Sequence, residues 1–203
     1  MTHKRSTKEE IIAIAGEDFS RFGYDAASLE EIAKSCGISK PAIYYHFKDK
    51  ASLYEAVLLR EFTQLRQIID EGIQKDDPVE ALRAYIRLFG DYVISNPTFA
   101  AHFSREIAND AKSLPDSCVL ELSKTLEMLV SLLKKGNEQG VFSCENPFMV
   151  QMMIVTTLNA YMTTNSLRRR VYTLFDTTHE ILDPKMDDII DNLCEKIVKA
   201  LTC

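Results

Sequence analysis

The sequence predicts an all-α protein, and three observations carry this. Apolar residues recur at helical spacing through most of the 203 residues. No run alternates apolar and polar residues with the period of two that marks a half-buried strand. Of the six prolines, four follow Asp or Asn, the arrangement that opens a helix with a cap and a proline in its first turn. A composition of 46% hydrophobic and 27% charged residues is ordinary globular material, long enough for one or two domains with a core.

The first helix is expected from about Thr7 to Phe22. Thr7 and Glu10 form a capping box; Ile11, Ile12, Ala15, Phe19 and Phe22 form the apolar stripe, and Gly23 stops the helix. A second helix opens at Ser28, with Glu31 three residues on as its capping-box partner. Leu29, Ile32, Ala33 and Cys36 make its apolar face. Gly37 follows, where the chain needs a left-handed turn. Ser39 caps a third helix with Pro41 in its first turn. Ile43 and Phe47 turn inward, leaving Lys40, Ala42, Tyr44, Tyr45, His46 and Lys48 outward.

Two short helices joined by a tight glycine turn, the second with a polar, basic and aromatic outer face, describe a helix-turn-helix. Such a helix fits the major groove, where base edges are distinguishable, while its flanks grip phosphate. Pro41 and Ala42 suit contact with a thymine methyl, Lys40 a guanine edge or phosphate, and Tyr44, Tyr45, His46 and Lys50 the backbone. On these residues alone a solvated helical hairpin is an equally good reading.

The stretch IAKSCGISKPAIYYHFKDKASLYEAV resembles the signature of the tetracycline-repressor (TetR) family. The matching residues are Ile32, Ala33, Gly37, Ile38, Ser39, Ile43, Tyr44, His46, Phe47, Lys50 and Leu53. The resemblance covers the N-terminal quarter. It implies a DNA-binding head over 1–49, in which the first helix closes a three-helix unit, and a regulatory body over 50–203 for ligand binding and dimerisation. It also implies about nine helices. The residues it points to for DNA are Ser28, Ser39, Lys40, Pro41, Ala42, Tyr44, Tyr45, His46 and Lys50, with Lys50 on phosphate. Lys40 departs from the small residue often seen there.

Asp49 caps a fourth helix running to roughly Ile73, its apolar side carried by Leu53, Val57, Phe62, Leu65 and Ile69; by resemblance it is the lever between head and body. Further on, Asp77-Pro78, Asn96-Pro97, Asn146-Pro147 and Asp183-Pro184 punctuate the chain, and Glu80 completes a capping box with Asp77. Helices are therefore expected at about 78–95, 97–109, 116–139, 147–170 and 184–201. The phrase from Lys135 to Phe142 also resembles the family, whose last two helices commonly form a four-helix bundle with a second subunit. The stripes Phe148, Met152, Val155, Leu158, Met162 and Met186, Ile189, Ile190, Leu193, Ile197, Leu201 are apolar enough for that, or for a plain core.

The net charge of −6 lies in the body. Residues 1–50 are neutral, while Lys34, Lys40, Lys48 and Lys50 against Asp49 give a local excess of +3, and Lys4, Arg5 and Lys8 add a basic tail. Phosphate contact needs local positive charge, not a basic whole. Five cysteines without a C-x-x-C pair, and no signal peptide, point to a reduced cytoplasm. The most apolar stretch, 148–162, is broken by Gln151, Thr156, Thr157 and Asn159, so no membrane span is expected.

If the body holds a small-molecule effector, Phe89, Tyr92, Phe99, His102, Phe103, Arg105, Met128, Thr156, Asn159 and Tyr161 are the candidates for an apolar pocket with a few orienting groups; each is individually as well explained as core. The resemblance makes the protein a regulator, most often a repressor, acting as a homodimer on a double-stranded, pseudo-palindromic DNA operator and needing no cofactor. Two other readings compete. One is a thiol-based redox regulator using Cys118, Cys144, Cys194 or Cys203, with Cys36 packed in the head. The other is an enzyme on an apolar substrate. No phosphate-binding glycine loop, nucleophile elbow or metal-ligand spacing among His3, His46, His102 and His179 supports the latter.

Overall fold

The structure, a computed structural model, describes residues 7–143, 146–174 and 184–202. Among these the chain is helical: α1 (Lys8–Ala26), α2 (Leu29–Ser35), α3 (Lys40–His46), α4 (Lys50–Gly72), α5 (Pro78–Ser95), α6 (Pro97–Ala108), α7 (Asp116–Glu138), α8 (Pro147–Thr163), α9 (Asn165–Tyr172) and α10 (Met186–Leu201). None of these helices is long and apolar enough to cross a membrane.

In α1, Thr7 and Glu10 form the expected reciprocal capping box. Gly23, at φ +80°, breaks the helix where the sequence puts its stop, and one more short turn follows before Ala27. Ile11, Ile12, Ala15 and Phe19 are buried, whereas Phe22 is exposed, with the Arg21 guanidinium over its ring. The stripe therefore ends one turn earlier than its spacing suggests. α2 and α3 meet at Gly37, at φ +67°. Ile32, Ala33, Ile43 and Phe47 pack with Leu53 and Val57 of α4 in the core. Asp49 caps α4 in a second reciprocal box, with Ser52.

Two expected boxes are half-formed. The Ser28 hydroxyl accepts from Glu30 N–H at 3.2 Å, and Glu31 turns instead to Lys34. Asp77 accepts from Val79 N–H at 2.8 Å, which satisfies the cap at the second helical position without Glu80. Asn96 caps nothing with its side chain and donates instead to the Tyr92 carbonyl. Asn146 caps α8 as expected. Asp183 lies outside the described residues, and the last helix opens at Met186 behind Lys185 rather than at Pro184, with the Asp188 carboxylate accepting from the Lys185 N–H.

The helix expected over 147–170 breaks at Thr164, so the described residues hold ten helices rather than nine. The cause lies in the run Thr163-Thr164-Asn165-Ser166. Thr163 and Thr164 donate their hydroxyls back to the carbonyls of Asn159 and Ala160, a bonding that competes with helix propagation.

In the body α4 packs on α5 and α7, α6 on α1 and α8, and α10 on α5 and α8. α10 seats closely because Gly90 of α5 offers no side chain: a Cβ there would lie 2.5 Å from Ile190 Cδ1. Arg87 and Asp191 close the same seam as an exposed ion pair. Gly136 of α7 likewise leaves room for the Phe142 ring, and an antiparallel bridge joins Phe142 to Thr202. The apolar stripe expected on the last helix for a subunit bundle is thus used within the chain. Ile190, Leu193, Ile197 and Leu201 are buried, while Asp187, Asp188, Asp191, Asn192, Glu195, Lys196 and Lys199 face solvent. α8 differs: Val150, Ile154, Val155 and Leu158 are buried, but Phe148, Met149 and Met153 are exposed.

Candidate nucleic-acid interface

The outward face of α3 is built by what the helix buries. Ile43 and Phe47 lock one side into the head, so Tyr44 and Tyr45 must point away from it. Tyr45 is 86% exposed, and its ring meets the His46 imidazole edge-on at 5.0 Å. Tyr44 is about half exposed, and Ala42 and His46 are half-buried. Ser39, Lys40 and Pro41 are exposed at the helix start. Ser39 makes no side-chain cap bond, so its hydroxyl is not committed there. Lys40 lies 3.7 Å from Glu30, a solvent-exposed pair of little strength. These residues form one surface of small, aromatic and cationic groups.

Two sequence candidates sit differently. The Ser28 hydroxyl is the α2 cap already described. Lys50 points back into the molecule: its ammonium donates to the carbonyls of Asp25 and Ala27, both at 3.1 Å, and lies 4.6 Å from the Tyr24 ring centroid. It ties the end of α1 to the start of α4. Lys8 caps the Phe47 ring in a similar cation–π contact, while Lys4, Arg5 and His3 of the basic tail lie outside the described residues. Asp49 is held below the usual carboxylate range, first by the Ser52 N–H and then by its hydroxyl, so it remains an anion beside Lys48.

The ten candidate pocket residues divide. Phe89, Tyr92, Phe99 and Phe103 gather with Phe62 into an aromatic cluster, ring centroids 5.3–6.2 Å apart. His102 is buried beside it, its Nδ1 2.9 Å from Glu61 Oε2. Arg105 leaves the cluster and donates to the carbonyls of Ser20 and Arg21 in the head. Met128 instead lines a surface groove of about 770 Å³ among Arg66, Asp70, Lys124 and Lys135. Thr156 is exposed and donates to the Met152 carbonyl. Asn159 is buried, its Oδ1 without a partner, and Tyr161 stacks under the Arg168 guanidinium.

Sequence reasoning missed Tyr54, Glu61, Thr98 and Glu106, which complete a buried polar network between α4 and α6. Tyr54 donates to Glu106 at 2.6 Å, Thr98 to Glu61 at 3.0 Å, and Tyr92 to the Glu61 carbonyl at 2.7 Å. The signal was available in the spacing. Tyr54, Leu58, Glu61 and Leu65 fall at successive helical turns, so the apolar stripe of α4 carries Glu61 inward.

The three thiols among the described residues are shifted away from activation. Burial pushes the Cys118 thiol up to about 12 and raises those of Cys36 and Cys194, the opposite of what a redox sensor needs. Cys144 and Cys203 lie outside the described residues, as does His179.

Comparison with known proteins matches both ends of this architecture. Residues 11–57 fit the model of bacterial regulatory proteins of the tetR family, and residues 78–191 fit the tetracyclin repressor-like C-terminal domain. The chain is similar to the HTH-type transcriptional regulator RutR of Escherichia coli (strain K12), 29% identical over 161 residues, 76% of this chain and 73% of RutR. It is also similar to IcaR, the HTH-type negative transcriptional regulator of the biofilm operon icaADBC in Staphylococcus aureus (strain Newman), 45% identical over 80 residues. That match spans 39% of this chain and 43% of IcaR. In fold it resembles the transcriptional regulator FadR from Bacillus subtilis in complex with stearoyl-CoA, with a TM-score of 0.70, 20% identity and coverage of 93% and 98% of the two chains. With the helix-turn-helix at one end and the repressor-like helical domain filling more than half the chain, this protein belongs to the TetR family of transcriptional regulators.

Proposed function

We propose that the chain is a ligand-responsive repressor. It works as a homodimer whose two heads, residues 1–49, place Ser39–Phe47 in successive major grooves of a pseudo-palindromic operator, and whose bodies, residues 50–203, bind a small, largely apolar effector. The observation that carries the DNA reading is the Tyr45 side chain. A large aromatic group 86% exposed at the tip of a rigid three-helix unit has no packing to do in the free protein. Beside Lys40, Pro41, Ala42 and His46 it suits a backbone and base-edge surface.

The dimer reading rests on α8. Phe148, Met149 and Met153 are exposed together on α8 of the protomer, and an exposed cluster of large apolar side chains marks a surface for a partner. A second copy seated there supplies the second head that a pseudo-palindromic operator, with half-sites one helical turn apart, requires. The effector reading rests on the aromatic and polar interior between α4, α5 and α6, and on the acyl-CoA complex of the similar FadR fold. An effector acts only through a difference in affinity between two head spacings.

The test is salt-dependent binding of the purified protein to its own upstream DNA, repeated against a library of metabolites and drugs. Tight binding released by one compound is the expected result. Binding that no compound releases leaves a regulator without an effector, and no binding at low salt overturns the DNA reading.

A further inference from the structure

Of the four lysines that give the head its local excess of charge, three are already engaged. Lys34 meets Glu31 on its own helix at 3.6 Å, and Lys50 donates to the Asp25 and Ala27 carbonyls. Lys40 reaches across the Gly37 turn, its ammonium 3.7 Å from the Glu30 carboxylate of α2. Lys48 is exposed at the foot of α3 and makes no ion pair among the described residues. Lys40 is the first residue of α3, and a recognition helix turns its opening residues to base edges. Its side chain is 44% exposed against 79% for Lys34, so it lies along the head rather than out in solvent.

In water such a pair is weak. A duplex changes that. Closing on this face removes water from between the two charges and strengthens their attraction, and it brings up a phosphate backbone that repels a bare carboxylate. Among the described residues Lys40 is the cation that pairs with Glu30. If Lys40 leaves for a phosphate, Glu30 meets the same backbone uncompensated. If Lys40 stays, its charge is cancelled and it neutralises no phosphate, yet an ammonium has three donors and Glu30 takes one. The two left over match the two acceptors, O6 and N7, that guanine shows in the major groove. Adenine shows N7 beside an amino donor.

We propose that Lys40 reads a guanine in each half-site and that Glu30 is the positioning residue that keeps it off phosphate. The inference rests on reading the α3 face as the DNA surface. It divides the work of the head: Lys40 discriminates between bases, while Lys48 has its ammonium free for the backbone.

The test lets the full chain select from a random duplex pool and then titrates the selected duplex over a range of salt. Each phosphate contact adds about 0.9 to the slope of log affinity against log salt. Lys40→Ala is expected to lose the guanine preference at one position of each half-site, by at least about tenfold, with the slope unchanged. Glu30→Gln is expected to steepen the slope by about 0.9 for each head, to raise affinity for unselected duplex and to weaken the guanine preference. Glu30→Asp keeps the charge and is expected to restore most of that preference. The α2 cap uses only the Glu30 backbone N–H, so these variants leave it in place, and a merely structural role for Glu30 moves neither slope nor preference. A Lys40→Ala slope shallower by about 0.9 for each head, with base preference intact, makes Lys40 a phosphate contact and overturns the proposal. A Lys40-dependent position occupied by an A·T pair overturns it as well, as does a Glu30→Gln protein indistinguishable from the parent. In each of these cases the DNA reading stands. No selection from the pool at low salt sinks that reading, and this inference with it.

Discussion

The Arg105 guanidinium donates from Nη2 to the Arg21 carbonyl at 2.9 Å, joining the last turn of α6 to the end of α1 across 84 residues of sequence. Its Nε reaches the Ser20 carbonyl at 3.2 Å. The carbonyls at a helix end lack partners within the helix, and the kink at Gly23 frees these two. Lys50 takes those of Asp25 and Ala27. Two body cations thus hold the C-terminal end of α1, where they also complement the helix dipole.

Replacing Arg105 by Ala is expected to cost about 1–2 kcal/mol of stability, two charge-assisted bonds on an exposed surface, read as a lower midpoint in denaturant unfolding. Gly23→Ala reaches the same contact from the other side. Its Cβ sits 3.4 Å from Arg105 Nη1, and the backbone is at φ +80°; a loss of about 1–2 kcal/mol follows from that conformation alone. An unchanged midpoint in Arg105→Ala refutes the fastening role.

Tyr45 and Lys50 separate recognition from support. Tyr45→Ala is expected to stay within about 0.5 kcal/mol of the parent in stability while operator affinity falls at least tenfold in a gel-shift titration. Lys50→Ala is expected to lose about 1 kcal/mol of stability as well as affinity, because its ammonium holds α1 and α4 together.

Met153→Asp places a charge in the exposed apolar face of α8 and is expected to yield monomers in sedimentation velocity. Glu195→Lys, on the solvated face of α10, is expected to leave the assembly unchanged. Monomers from the second and dimers from the first would move the interface to the last helix.

Glu121 is held below the usual carboxylate range, first by Lys124, then by Arg66 at 2.5 Å. A depressed carboxyl contributes stability that is present above its unfolded value and lost as pH falls through its folded one. Acid unfolding should therefore steepen below about pH 4.5, the ordinary value for Glu, and Glu121→Gln should flatten that limb in pH-dependent melting.

The fold was legible where periodicity and caps agreed. The Thr7 box, Gly23, Gly37 and the Asp77-Pro78, Asn96-Pro97 and Asn146-Pro147 starts each encode a local backbone demand, and local demands survive folding. The start of α5 lay at Asp77-Pro78, and α3 turned its face outward because Ile43 and Phe47 had to turn in. What could not be read was choice among equivalent partners. Lys50 has the same charge whether it meets phosphate or the Asp25 carbonyl, and Arg105 looks alike in a pocket or on α1. The stripe of α10 is equally apolar against a second subunit or against Gly90, and only the missing side chain at that glycine, met by Ile190, decides it. The break at Thr164 escaped because Leu167, Arg168, Arg169 and Arg170 beyond it are good helix formers, so local propensity runs on past the turn.

The seating of Ile190 on Gly90 also bears on the order in which the protein is made. Every residue of the head, and α4 behind it, has been synthesised by residue 72, while the partners of α1 on α6 and of α4 on α7 come later. α5 is complete at Ser95, but its groove stays uncovered until residue 190 is synthesised, roughly 5–20 s later at common elongation rates. During that interval the nascent chain presents an open apolar seam on α5, so a stop codon before residue 190 leaves that seam uncovered for good.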